Sequence, residues 1–248
     1  MKDKYELAKA AGELRERLGE DDRSPIDLFR LIHSIEELTL VLYPMGEHIS
    51  GMCLKNHNDV LIAVNSAMTY GRQRFSLAHE LYHYFYEDMA TVICTQDIGT
   101  ANDTERDANG FASFFLAPPS ALAKKIREIK SVRKTLDLIG VIKLEQFFGM
   151  SRQAMLFRLL EEGALSQQEA DSMRSQIIYH ALALGYDDSL YRPLPEEKAR
   201  MTYGSYIKRA EELFRRELIS NGKYEELLLE AFRADIVYGL DEGGELID

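Results

Sequence analysis

The 248-residue sequence contains only two cysteines, Cys53 and Cys94, and no Cys-x-x-Cys pair. This scarcity argues against a disulfide framework and against a zinc-finger scaffold, because both need several suitably spaced cysteines. A chain of this length can bury a sizeable core without either support. We therefore expect an ordinary globular protein of one or two domains.

Long apolar segments are also lacking. The N-terminal stretch MKDKYELAKAAGELRERLGEDD is charged and has no apolar region of the secretory type. No run of about 18 apolar residues occurs, so no membrane-spanning helix is predicted. These absences and the few cysteines together predict a protein of the reducing cytoplasm.

Positive charge is scarce, since 30 basic residues stand against 41 acidic ones and give a net charge of −11. The exception is residues 121–160, which carry nine basic and three acidic side chains. So acidic a protein is a poor non-specific binder of nucleic acid, because phosphate contacts need lysine and arginine. The basic segment leaves open a local contact with nucleic acid or an acidic partner.

The pattern of apolar residues predicts an α+β fold with a small antiparallel sheet. Three short β-like runs build the sheet: Thr39–Tyr43, Ile49–Leu54 and Val60–Val64. Amphipathic helices are predicted over about 69–87 and about 105–116. The polar segment Ile93–Thr104 between them predicts a loop.

The C-terminal half is predicted to be mainly α-helical from Ser120 onward. Within it, residues 143–161 form a helix-turn-helix pattern whose tight turn is Gly149–Ser151. The acidic end DEGGELID is expected to fray. We divide the chain into a domain that carries the predicted sheet and the first amphipathic helices, a helix-turn-helix-like subdomain and a helical C-terminal region: 1–120, 121–165 and 166–248.

The most informative motif is His79-Glu80-Leu81-Tyr82-His83, an HExxH sequence on the first long helix. Residues four apart lie on one helix face, so His79 and His83 can bind one Zn²⁺ through their imidazoles. Glu80 lies beside them as the candidate catalytic base. Tyr82 places a bulky ring between the histidines. The alternative therefore stays open that both histidines pack in the core and bind no metal.

A catalytic zinc site needs a third protein ligand, with the fourth position left to water. Glu105 on the following helix is the preferred candidate, because small residues on its stripe allow close packing of two helices. Asn109 shares its face and is a candidate to orient a ligand histidine. Asp103 and Asp107 are the rival carboxylates.

Two segments then resemble the ImmA/IrrE family of zinc metallopeptidases. RQRFSLAHELYHY and ERDANGFASFFLAPPSAL are similar to the family patterns RxRFTLAHELGHY and ExxANxFAxxLLMP. A third segment, LEQFFGMSRQAMLFRLLEEGALS, resembles the family pattern LAxxFGVSxxAxxxRLxxLGxI. The resemblance implies a zincin-like HExxH helix, zinc ligands at His79, His83 and Glu105, and Glu80 as catalytic acid/base.

The resemblance also implies a substrate class, because family members cleave a partner helix-turn-helix repressor and relieve repression in mobile elements or stress responses. We therefore expect a cytoplasmic zinc-dependent endopeptidase, with Mn²⁺ or Fe²⁺ as alternative metals. The alternative is a non-catalytic regulator, or a toxin–antitoxin component, that binds a repressor or DNA.

The helix-turn-helix pattern supplies three candidate contacts for nucleic acid or a partner: Arg152, Gln153 and Arg158. The other interpretation is a helical subdomain that braces the metal site or docks the substrate protein. The acidic remainder of the chain makes direct DNA binding the less favoured of the two.

Overall fold

The computed structural model describes residues 2–56, 59–88, 91–95 and 103–239, and it confirms the α+β class. In these residues the α-helices are α1 Lys4–Arg17, α2 Leu28–Ile32, α3 Tyr70–Tyr86, α4 Asp103–Leu116, α5 Pro119–Arg133, α6 Leu138–Phe148, α7 Arg152–Glu161, α8 Gln167–Ser172, α9 Ile177–Ala183, α10 Ser205–Arg215, α11 Asn221–Glu230 and α12 Ala234–Tyr238. Within the described residues, no helix is both long and apolar enough to cross a membrane. The acidic end, which we expected to fray, lies outside them.

The small sheet is confirmed and most of its strand pairs are antiparallel, as predicted, but one pair is parallel. Its described strands are β1 Leu38–Tyr43, β2 Ile49–Asn56, β3 Asp59–Asn65, β4 Thr91–Thr95 and β5 Met201–Gly204, in the order β4-β2-β3-β1-β5. β2 and β3 form a hairpin, but β3 then lies parallel to β1, with Leu40 opposite Ile62. The other pairs are antiparallel.

Asn65 explains how β3 comes to lie between β1 and β2. Its side-chain amide donates to the carbonyl of Ile49 at 2.7 Å, and its carbonyl oxygen accepts from the amide of Met45 at 3.0 Å. Met45 lies in the connection from β1 to β2, and Ile49 is the first residue of β2. The buried side chain of Asn65, the last residue of β3, therefore holds the connection between β1 and β2 against the end of β3.

Two strands were not predicted. β4 lies in the segment predicted as a loop, of which residues 96–102 lie outside the described part of the chain. β5 comes from the predicted helical C-terminal region, yet it pairs with β1, where Tyr203 is opposite Leu40. Both are short sheet-edge strands, and their pairing partners lie far away in sequence. The three-domain division remains a prediction.

The central helix α3 lies between the sheet and α4, and its sequence makes nearly the whole helix a core element. It contacts β2 and β3 on one side and α4 on the other. Leu77, Ala78 and Leu81 are completely buried, and so is the carboxylate residue Glu80. A polar side chain buried in such a helix needs a partner, because its desolvation is otherwise uncompensated.

The predicted helix-turn-helix segment forms α6 and α7, with a left-handed Gly149 between them at φ +63°. The Ser151 side chain accepts from the amide of Ala154 and begins α7. Arg74 of α3 donates to the carbonyl of Gly149 at 2.9 Å. This contact ties the turn to the helix that carries the HExxH motif.

Two of the candidate nucleic-acid contacts in this segment do not fit the structure. Arg152 is buried and paired with buried Glu145, and it donates to the carbonyl of Met173 at 2.6 Å. Arg158 is also completely buried, beside the carbonyl of Ala117. Neither guanidinium faces a groove or a phosphate, since each is held by partners within the fold. Only Gln153 of the three is exposed.

The Glu145–Arg152 pair predicts a large loss of stability when one partner is removed. Glu145→Gln should lower the free energy of unfolding by about 3 kcal/mol, because it leaves a buried guanidinium without its counter-charge. The matched control Glu128→Gln breaks the exposed pair with Lys125 and should cost under about 1 kcal/mol. Urea unfolding of both variants makes the comparison, and equal losses would contradict it.

Candidate metal centre

Two imidazoles of α3 face each other one helical turn apart. The Nε2 atoms of His79 and His83 are 3.0 Å apart, and both rings are buried. The Nδ1 of His79 is 2.9 Å from the side-chain oxygen of Asn109 on α4. The Nδ1 of His83 is 2.7 Å from a carboxylate oxygen of Glu87, the residue that ends α3. Each ring is thus held from behind.

This arrangement fits a metal ion. Both partners behind the rings are oxygen acceptors, so each neutral imidazole carries its hydrogen on Nδ1 and turns an unprotonated Nε2 inward. Two lone pairs at 3.0 Å repel each other unless a cation lies between them. A tetrahedral zinc with Zn–N of about 2.0–2.1 Å would place the nitrogens roughly 3.3 Å apart.

Glu105 on α4 supplies the third donor. One carboxylate oxygen is 3.3 Å from Nε2 of His79, and the other is 3.6 Å from Nε2 of His83. Of the rivals, Asp107 accepts from the backbone amide of Lys2, 3.0 Å from each oxygen, and the Asp103 side chain is 68% exposed. The structure therefore brings Glu105 and not the rival carboxylates to the histidines.

The charges of these groups act on one another. Burial, together with the neighbouring His79, lowers the pKa of His83. Burial also disfavours charge on His79, but the hydrogen bond with Glu105 and the charges of Glu80 and Glu105 outweigh it and raise the His79 pKa. Burial alone would raise the pKa of Glu105, but the histidines lower it. An ionised carboxylate therefore faces the imidazoles.

Glu80 lies next to the cluster without belonging to it. Its carboxylate is completely buried, and neither oxygen has a hydrogen-bond partner among the described residues. Gly51 of β2 makes room for it, because an added Cβ there would lie 2.7 Å from Oε1 of Glu80. Burial raises the pKa of Glu80 to about 7, against the opposing charge of His79. Such a carboxylate can take up and release a proton near neutral pH.

A cysteine that the sequence analysis left unassigned completes the surroundings. The Sγ of Cys94 on β4 is 3.3 Å from Nε2 of His83 and 3.9 Å from an oxygen of Glu105. One donor atom from each of these residues and His79 lies within 4.8 Å of all the others. The run TVICT is rich in β-branched residues, which is a strand signal that could have located this position.

Tyr82 does not separate the histidines. Its ring centroid is 6.0 Å from that of His83, and the ring stacks on Tyr86 at 5.6 Å. It also packs against Phe111 of α4. The ring therefore belongs to the core between α3 and α4, because position 82 faces α4 rather than the ligand side of α3.

A cleft leads away from the imidazoles toward α7. At its metal end the cleft is lined by Ser76 and His79. An adjoining cavity of about 500 Å³ shares three lining residues with the cleft: Arg72, Ser151 and Gln153. The exposed Gln153, predicted as a contact residue, thus lies along the approach to the metal centre. The helix-turn-helix-like segment contributes a wall of the site.

Comparison with known families agrees with this geometry. Residues 39–160 match the family model of the IrrE N-terminal-like domain, Peptidase_M78, which confirms the predicted resemblance. The matched span contains the HExxH helix, α4 and most of α7. A search of the curated proteins finds no match. The family supports peptidase activity, and the cluster of donors is compatible with a metal.

Proposed function

Because residues 39–160 match the IrrE N-terminal-like peptidase domain, we propose that this chain is a zinc-dependent endopeptidase that cleaves a partner protein. The observation that carries the proposal is the convergence of two imidazole nitrogens and a carboxylate from a second helix, with a buried carboxylate beside them. Three protein donors and one remaining position are the composition of a catalytic zinc site.

In this proposal His79, His83 and Glu105 hold the metal. When bound, the metal polarises the scissile carbonyl and lowers the pKa of the attacking water. Asn109 and Glu87 accept from the Nδ1 hydrogens and keep both rings turned inward. Zinc suits the imidazole and carboxylate donors, and Mn²⁺ or Fe²⁺ are the alternatives, because affinity alone does not select the metal.

Glu80 is the proposed acid/base. Its ionised carboxylate accepts the proton of the attacking water and then donates it to the amine that leaves. The raised pKa, about 7, suits both transfers, because the group then gains and loses a proton with little cost near neutral pH. Gly51 lets this carboxylate lie against β2, so the backbone of the sheet fixes its position.

The proposed substrate is a helix-turn-helix transcriptional repressor, whose cleavage would relieve repression in a mobile element or stress response. This choice rests on the family resemblance. The cavity of about 500 Å³ that Arg72 and Gln153 line beside the metal centre offers room for a segment of the partner protein. Binding energy from docking away from the cut bond would drive the reaction, so generic peptides should be poor substrates.

The proposed compartment is the cytoplasm. Cys53 and Cys94 are both free and buried, so the described structure contains no disulfide between them. Free buried thiols suit a reducing environment, in which thiols stay unpaired.

The test is incubation of the zinc-loaded chain with a purified helix-turn-helix repressor, preferably one encoded beside it. We expect one cut at a defined bond, found by mass spectrometry of the fragments, and no cut when zinc is removed by a chelator. A stoichiometric complex without any cut would instead support the non-catalytic regulator. Exchange of zinc for Mn²⁺ or Fe²⁺ in the same assay identifies the metal that supports turnover.

A further inference from the structure

Cys94 has the position of a metal ligand rather than that of a packing residue alone. It is completely buried, and its sulfur is 3.3 Å from Nε2 of His83 and 3.9 Å from an oxygen of Glu105. Tetrahedral zinc with Zn–S of about 2.3 Å and Zn–N of about 2.0–2.1 Å would place S and N roughly 3.5 Å apart. One ion can therefore contact this sulfur and the other donors together.

Charge favours the same assignment. Two neutral imidazoles and the carboxylate of Glu105 would leave a divalent ion with a net charge of +1 in a largely buried site. A thiolate from Cys94 would bring that charge to zero when Glu80 is protonated, the form that burial of Glu80 favours. A neutral buried site is favoured, because an uncompensated charge away from water is costly.

Glu80, whose carboxylate interacts with the Cys94 thiol, gives a second indication of a bound species here. Cys94 is paired with Gly51 in the register of β4 and β2, and Gly51 is the residue against which Glu80 lies. The carboxylate of Glu80 is completely buried, and neither of its oxygens has a hydrogen-bond partner among the described residues. A buried carboxylate aimed into this space needs a cation or a water to compensate its desolvation.

We propose that Cys94 binds the metal as a fourth protein ligand, so that the loaded chain rests in a closed, latent state. Four protein ligands are the mark of a structural zinc site, whereas a catalytic site keeps one position for water. The thiol releases its proton to solvent when the sulfur binds, and it takes one up again when water replaces it. The latency, but not the ligation, rests on the proposed peptidase function.

The sheet supplies a way to open the site. Among the described strands, β4 lies at an edge of the sheet and pairs with β2 alone, so it can separate from the sheet without breaking a second described ladder. A substrate segment that pairs with β2 in its place would carry Cys94 away from the metal. Docking of the partner protein would thereby convert a closed site into an open one.

The test uses Co²⁺ as the probe in the full-length chain with a non-thiol reductant. The wild type should bind one Co²⁺ and show sulfur-to-cobalt charge-transfer absorption in the near ultraviolet. Cys94→Ala should lose this absorption and keep the visible bands of one bound Co²⁺. Cys53→Ala is the matched control, because Cys53 is equally buried on β2 and should keep the absorption.

The wild-type spectrum alone decides the ligation, whatever the stability of the variants. Visible cobalt bands without the charge-transfer absorption would overturn the proposal and leave the peptidase function intact. Absence of any bound cobalt would overturn both. For the latency, Cys94→Ala should cleave the partner protein faster than wild type, and slower or equal cleavage would contradict it.

Discussion

Glu80→Gln should reduce partner cleavage by about 10²–10⁴-fold while one metal ion per chain is retained. The amide keeps the size of the carboxylate and fits the same pocket beside Gly51, so the fold and the metal donors stay in place. It cannot accept a proton from the attacking water. Initial rates of cleavage and metal analysis of the same sample measure the two effects.

The matched control is Glu13→Gln on the exposed face of α1, where the side chain is 60% exposed and paired with Lys9. This variant should cleave at the wild-type rate. Cleavage by Glu80→Gln at the wild-type rate would exclude Glu80 as the acid/base and remove the mechanism proposed above.

The second large effect concerns the ligands. Zinc should stabilise the wild-type chain by about 4 kcal/mol at a free concentration of 1,000 times its dissociation constant, because it binds the folded state. His83→Ala should lose this stabilisation, and Glu105→Ala should lose most of it, because each removes one of three convergent donors. Thermal unfolding with and without zinc gives the shift, and elemental analysis gives the stoichiometry.

His48→Ala is the control for that experiment, since His48 is exposed in the connection between β1 and β2. It should show the wild-type zinc shift. If His83→Ala bound zinc as tightly as the wild type, the ion would lie elsewhere and the proposed centre would be wrong.

The candidate centre was largely predictable because its geometry is local. Helical periodicity alone places His79 and His83 on one face of α3, and the structure has their Nε2 atoms 3.0 Å apart. Asn109 stands four residues after Glu105 and reaches His79 from the next helix. Sequence spacing within one helix carries this information directly.

The features that were mispredicted all depend on partners distant in sequence. The parallel pairing of β1 with β3 follows from a connection held by Asn65, and β5 joins the sheet from more than 130 residues away. Arg158, predicted as a candidate contact for nucleic acid or a partner, is buried beside the carbonyl of Ala117. The pattern of residues within one segment does not determine which distant part of the chain a side chain will contact.

Cys94 shows the same limit at the centre itself. The segment around it was predicted as a loop because its composition is polar further along. Its strand forms by pairing with β2, and only that pairing brings the sulfur to His83. A residue that reaches the site through the pairing of two strands has no fixed spacing in sequence from the HExxH motif. A search for sequence motifs therefore does not find it.

Anomalous diffraction at the zinc edge from a zinc-loaded crystal tests the central claim most directly. We predict one peak within about 2.0–2.3 Å of Nε2 of His79, Nε2 of His83 and a carboxylate oxygen of Glu105. A zinc ion bound stoichiometrically at other residues, with these three groups apart, would contradict the account.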